Sequence, residues 1–402
     1  MTSTPYPTLR HHLTIPSLGI VQILNYGASY YLPGVLGQQI AAATGWSYAL
    51  IIAGLSLGLG VSGLCSIVVG KLIERHGGKL VLAGGTILIA IGLCCLASST
   101  STLTYFLSWG IMGLGMSAAL YDAAFATLGW LYGQRARRAI STLTLWSGFA
   151  STVSWPLSAF LVERIGWRFT CLSYAALELL ICLPMILLCI PAHKSLDIET
   201  GPTEQTFHEP RPLDHRLASF LLLALVLTLG STAAAVISVH LVTILQANGM
   251  GYAAAVGIGA IIGPAQVFTR LIERLIGNRL HPIWVLWLAT GLMAMGLAVL
   301  WFGVELAAIG IIAYGAGTGI WSIARGTVPL SLFGSKGYPV LMGRLAMPML
   351  VAQAAAPSMG ALLIERLGAT PTLAILSAIA TSCVIGIIAL RLTAHTTITA
   401  AP

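Results

Sequence analysis

In 402 residues only 8% are charged, 57% are hydrophobic and the mean hydropathy is +0.90. Roughly a quarter of the residues of a soluble domain carry charge, so an ordinary water-soluble globule is excluded and the bilayer is the solvent that suits this chain. The net charge of +8 is not a nucleic-acid footprint, because the basic residues lie in short segments beside apolar runs, where cytoplasmic retention explains them.

Twelve apolar runs of about 20 residues follow one another, each long enough to cross a ~30 Å hydrocarbon core as a helix. Their expected bounds are 13–36, 46–69, 80–98, 103–130, 139–161, 169–191, 217–246, 251–272, 282–303, 306–327, 339–363 and 371–391. The chain is thus expected to be an all-α membrane protein of twelve transmembrane helices. The N-terminal tail is polar and the run behind it is of spanning length, so no cleavable signal is expected. Cys65, Cys94, Cys95, Cys171, Cys182, Cys189 and Cys383 all fall inside apolar runs without paired zinc spacing. They read as small buried hydrophobes, and neither a metal nor a cofactor is expected.

The polar segment 192–213 separates six runs from six. It reads as a cytoplasmic linker between an N-terminal bundle, 1–191, and a C-terminal bundle, 214–402. With the N-terminus inside, fourteen basic residues fall in inner segments and three, Arg164, Arg168 and Arg366, in outer ones. That asymmetry places both termini in the cytoplasm. The halves also echo one another. Leu157-Ser-Ala-Phe-Leu-Val-Glu-Arg-Ile-Gly166 matches Met359-Gly-Ala-Leu-Leu-Ile-Glu-Arg-Leu-Gly368 at an offset of 202, and Gly45-Trp-Ser-Tyr-Ala49 matches Gly249-Met-Gly-Tyr-Ala253 at 204. Two parallel six-helix repeats, pseudo-symmetric about the membrane normal, are one plan of secondary transporters.

After the second run the chain reads Gly70-Lys71-Leu72-Ile73-Glu74-Arg75-His76-Gly77-Gly78-Lys79. This resembles the cytoplasmic signature of the major facilitator superfamily, with Glu74 where the family usually has Asp and Gly78 where it has a basic residue. On physical grounds Gly70 and Gly77 permit a tight turn, and Glu74, Arg75 and Lys79 can latch the inner helix ends in one conformation; a merely solvated loop is the bland alternative. Within that superfamily the chain is similar to the monocarboxylate and oxalate:formate branch. Ser29-Tyr30-Tyr31-Leu32-Pro33 resembles its aromatic-Pro step, and Gln266-Val-Phe-Thr-Arg270 its acid-x-x-x-Arg pair, whose Arg holds the substrate carboxylate. Gly34 and Gln266 depart from the pattern, standing where members carry a proton-accepting Lys and an Asp.

Charges inside spans are costly and usually mark a pathway. Arg270 offers a planar fork that fits a carboxylate; its alternative place is the inner-face latch, since Lys71-Leu-Ile-Glu74-Arg75 resembles Arg270-Leu-Ile-Glu273-Arg274. Asp122 and Arg325 fall at nearly equivalent positions of the two halves. A buried carboxylate such as Asp122 can carry a proton, and the pair can equally be structural. His240 suits proton coupling or a packing hydrogen bond. Glu178 is mid-way along the sixth helix, which the resemblance implies is a peripheral support, and it reads as a neutral hydrogen-bond donor; Arg344 reads as a snorkelling residue. Asn25, Tyr26, Tyr30 and Tyr31 can line the N-terminal side of a cavity that Arg270 completes.

The expected protein is a monomeric inner-membrane secondary transporter, not an enzyme. It would move a small organic anion, a monocarboxylate, with protons by alternating access. A proton-driven exporter of a drug or toxic anion is the alternative within the fold, and a non-transporting receptor is the alternative outside it.

Overall fold

The computed structural model describes residues 7–192, 213–276 and 280–395. The linker expectation, 192–213, lies almost wholly outside the described residues. Everything regular among them is helical. In chain order the α-helices are α1 (Pro7–Ala28), α2 (Leu32–Thr44), α3 (Tyr48–His76), α4 (Gly78–Ala97), α5 (Thr102–Ala119), α6 (Tyr121–Tyr132), α7 (Ala136–Ser147), α8 (Ala150–Leu177), α9 (Leu183–Cys189), α10 (Leu213–Ala247), α11 (Tyr252–Ala260), α12 (Ile262–Ile276), α13 (Pro282–Phe302), α14 (Ala307–Phe333), α15 (Tyr338–Leu367) and α16 (Ala369–His395). Nine runs among the described residues are long and apolar enough to span a bilayer, and one of them, Thr102–Cys189, is 88 residues long, enough for several crossings. The layout is consistent with the twelve expected.

Several expected spans are broken rather than continuous. The first run stops at Ala28 and restarts at Leu32, so Tyr30 and Tyr31 lie in the break and not within a helix. Pro33 lacks an N–H and disfavours helical geometry in the residue before it, and the Tyr31 N–H turns back to the Tyr26 carbonyl at 2.9 Å. The fourth run breaks at Leu120, whose φ −87° and ψ −170° are extended. Asp122 is therefore not mid-helix; it stands in the first turn of α6, where a carboxylate complements the positive end of the helix. The fifth run breaks around Gly148 and Phe149. The sixth contains a π turn, Glu178–Cys182, in which the Leu183 N–H reaches back to the Glu178 carbonyl. Pro184 gives the local cause, because it has no N–H for the Leu180 carbonyl.

The matched repeats carry matched backbones. Gly45 and Gly249 have φ of 74° and 95°, and Gly166 and Gly368 of 74° and 90°. A side chain would be strained in that left-handed region, so each glycine is required where its stretch turns.

The described residues form two compact units. Unit 1 holds the chain up to residue 192 together with Pro329–Ala354; unit 2 holds the described residues from 213 to Val328 and from Ala355 onward. Unit 1 contains two apolar clusters. One joins Leu18, Val21, Leu82, Phe125, Ile186 and Tyr338. The other joins Leu36, Ile51, Ile89, Tyr105, Trp109 and Tyr174.

Candidate functional site

In unit 1 the helix breaks carry aromatic residues that meet. The Tyr26 and Tyr121 ring centroids are 4.9 Å apart, Tyr26 and Tyr30 6.0 Å, Tyr30 and Tyr31 5.4 Å, and Tyr31 and Trp155 6.4 Å. Tyr121 stacks on Phe125 at 5.2 Å. Interrupted helices whose free backbone groups gather at one place form the binding sites of many secondary transporters. The structure thus brings Tyr26, Tyr30 and Tyr31 together.

Asn25 does something else. It is fully buried, and its Nδ2 donates to the Ala119 carbonyl at 3.1 Å; Gln22 Nε2 donates to the same oxygen at 2.7 Å. Ala119 ends α5, and the break at Leu120 takes its carbonyl out of the helical ladder. The amides of α1 supply the missing partners, so Asn25 ties helices together and does not line a cavity.

Asp122 is half-buried and lines a small cleft with Ser66, Gly70, Ser117, Pro339 and Gly343. The signature segment meets this cleft through Gly70. Its expected ion pair is absent among the described residues: Arg75 is exposed, and Glu74 Oε2 is buried without a hydrogen-bond partner. The Glu74 backbone instead accepts from Trp130 Nε1 at 3.3 Å, and Gly77 turns with φ 80°. Lys79 is half-buried in the first turn of α4.

In unit 2, α12 lies against the glycine-rich part of α14. A Cβ on Gly315 would stand 2.9 Å from the Ala265 Cβ, and one on Gly319 2.6 Å from Thr269 Oγ1. Across this seam Gln266 Nε2 donates to Thr318 Oγ1 at 3.1 Å, Thr269 Oγ1 to the Ala316 carbonyl at 3.2 Å, and Arg270 Nε to the Gly319 carbonyl at 3.3 Å. Gln266 and Arg270 thus share one helix face. Arg270 is 6% exposed and Glu273 9%. Arg270 lies within the candidate span Tyr252–Ile276, about 9 Å of helix before its end at 1.5 Å per residue.

His240 is half-buried on α10, with Nε2 2.9 Å from the Pro357 carbonyl of α15. Arg325 is half-buried on α14, and Arg344 is exposed near the start of α15. Glu178 is fully buried, and neither of its carboxylate oxygens has a hydrogen-bond partner among the described residues. The expected donor role to a neighbouring helix is therefore not seen.

Sequence reasoning passed over Gln22 and Thr86. Each is a polar residue in an apolar run, which was a signal. The role of the Ala119 carbonyl had none, since it depends on where α5 breaks.

The profile of the Major Facilitator Superfamily matches residues 18–335. Human monocarboxylate transporter 6 is 31% identical over 150 residues, which cover 36% of this chain and 28% of that protein. The match therefore spans little more than a quarter of that relative's length. Among solved structures, the human organic anion transporter MFSD10 (TETRAN) superposes with a TM-score of 0.72 at 16% identity, covering 95% of this chain and all of that one. The proton:xylose symporter XylE, bound to 6-bromo-6-deoxy-D-glucose, superposes with a TM-score of 0.69 at 13% identity, covering 92% and 94%. At these identities the two structures speak for the fold.

Proposed function

We propose, from the premise that this chain belongs to the major facilitator superfamily and is a transporter rather than an enzyme, that it carries a small organic anion, a monocarboxylate, together with protons. The observation that carries this reading is Arg270: a guanidinium 6% exposed inside a candidate membrane span. A permanent cation in hydrocarbon is costly and almost always serves a pathway. Its planar fork of five donors matches a carboxylate. Gln266, one turn earlier on the same face, adds an amide, and Tyr26, Tyr30 and Tyr31 offer hydroxyls and apolar ring faces for the rest of the anion. The partial likeness to a monocarboxylate transporter supports the same substrate class.

In this reading the bundles 1–191 and 214–402, joined by the 192–213 linker, rock to open a central site alternately to each side. The segment from Gly70 to Lys79 latches one state. Asp122 carries the proton, with His240 as its partner and Arg325 balancing charge. The protein sits as a monomer in the inner membrane with both termini in the cytoplasm. The test is uptake of labelled short-chain acids into proteoliposomes, with and without an inward proton gradient. Accumulation that needs the gradient supports the reading. Ligand-induced stabilisation without movement of any acid replaces it with the receptor.

A further inference from the structure

The polar groups that the proposed function leaves over gather at one level of unit 1. Gln22, Asn25, Thr86 and Glu178 are each 0% exposed. Five oxygens among them lack a hydrogen-bond partner: Gln22 Oε1, Asn25 Oδ1, Thr86 Oγ1 and both carboxylate oxygens of Glu178. Buried polar atoms in native proteins are nearly always satisfied, so five together mark something other than packing.

Two contacts fix the level. Thr14 Oγ1 donates to the Cys189 carbonyl at 3.0 Å, and a Cβ on Gly27 would lie 3.5 Å from the Tyr174 ring. The first and sixth crossings run antiparallel between these two contacts, which sets Glu178 at a height between Gln22 and Asn25, about half a turn from each. On α4, a Cβ on Gly85 would meet Ala118 and Ala119 at 2.8–2.9 Å, so Thr86 stands on the turn beside the carbonyl that Gln22 and Asn25 share. The apolar clusters divide at the same level. Leu18, Val21, Leu82, Ala83, Cys182 and Ile186 fall in one, and Ala28, Ile89, Ala90, Tyr174 and Ala175 in the other. A polar layer separates them.

The layer is short of hydrogens. The nitrogens of Gln22 and Asn25 are committed to Ala119, which fixes both amide oxygens as acceptors. An ionised Glu178 would add two more acceptors and a charge stripped of hydration, with only the Thr86 hydroxyl and the weakly donating Cys182 thiol to offset it. A proton on Glu178 cancels the charge and supplies a further donor. The elements packed on the π turn are α1, α4, α8 and α9. Tyr174 and Cys182 are the titratable groups that interact with Glu178. The charged residues with described side chains on those helices are Lys79, Glu163, Arg164 and Arg168, each about 10 Å or more along its helix from this level at 1.5 Å per residue. The layer has no counter-cation among them. A π turn is also where helices tend to carry function.

We propose that this layer is a proton-binding site of the transporter, in which Glu178 takes up a proton and Gln22, Asn25 and Thr86 hold the carboxylic acid that results. The step is an addition without redox. An O–H bond forms between the incoming proton and one carboxylate oxygen, and the side chain goes from −1 to neutral. On release that bond breaks and the proton returns to water. The coupling of this proton to transport rests on the proton-coupled reading above.

The test is infrared difference spectroscopy of the purified, lipid-reconstituted protein between acid and alkaline pH, without substrate. A carboxylic-acid carbonyl band that appears with acidification in the wild type and is missing in Glu178→Gln is the expected result. Should that variant not fold, Gln22→Leu serves instead: the band persists but moves, because one hydrogen-bond acceptor is gone. A band present at every pH, or one unaffected by both variants, makes Glu178 a structural acid and overturns the proposal. A response to sodium over choline at fixed pH, lost in Glu178→Gln, overturns it in favour of a metal cation. In proteoliposomes, gradient-driven accumulation in Glu178→Gln should fall at least tenfold more than counterflow exchange. Wild-type accumulation of a monocarboxylate that Glu178→Gln leaves intact removes this site but keeps the substrate reading, whereas a titrating band without any carboxylate transport does the reverse.

Discussion

The Ser66 hydroxyl donates to the Gly343 carbonyl at 2.8 Å, tying α3 to α15 where the two backbones touch. A Cβ on Gly343 would collide with the Ser66 carbonyl, and one on Gly63 would stand 3.0 Å from the Met347 carbonyl. The seam exists because these positions have no side chain.

Gly343→Val should therefore destabilise unit 1 by about 1–3 kcal/mol through overpacking. Ser66→Ala, which removes one hydrogen bond and adds no bulk, should cost about 1 kcal/mol. Thermal melts of the detergent-solubilised protein read both. An unchanged melting temperature in Gly343→Val would show that the helices do not approach this closely in the membrane.

Arg270→Lys keeps the charge but loses the fork, so the apparent affinity for a carboxylate should drop about tenfold, which is about 1.4 kcal/mol, with some transport left. Arg270→Gln should abolish carboxylate binding in a folded protein. Undiminished uptake by Arg270→Gln would move the anion site to Arg325 or Arg344.

Asp122→Asn should abolish accumulation driven by a pH gradient more severely than exchange, because exchange needs no net proton movement. Loss of both modes together, with recovery when Arg325 is also neutralised, would instead identify a structural pair. Concentrative uptake by Asp122→Asn at the wild-type level would remove Asp122 from the proton route.

His240→Phe leaves the Pro357 carbonyl without its present partner and should lower stability by about 1–3 kcal/mol. His240→Gln, which can still donate, should recover part of that loss. If both variants melt like the wild type but lose pH-dependent uptake, His240 acts in coupling and not in packing.

A cysteine placed at Thr203 on a cysteine-free background should resist impermeant thiol reagents in intact cells and react once the membrane is opened. Labelling from outside would invert the orientation read from the basic residues.

The sequence alone determined the solvent, the helical class and the superfamily, because each follows from short-range facts. Apolar runs of spanning length must be helices in lipid, and the stretch from Gly70 to Lys79 is contiguous in the chain. The repeat was legible for the same reason: Gly45 and Gly249, Gly166 and Gly368 sit in local motifs, and their shared positive φ is a local necessity. Arg270 and Gln266 could be placed on one face from their spacing of four. The tertiary structure decided the rest. That Asn25 serves the Ala119 carbonyl depends on a break at Leu120 in another helix, and that Glu178 faces a layer short of donors depends on which levels of α1 and α4 meet its π turn. Those are consequences of helices packing at a particular height, a long-range fact that neither periodicity nor composition encodes.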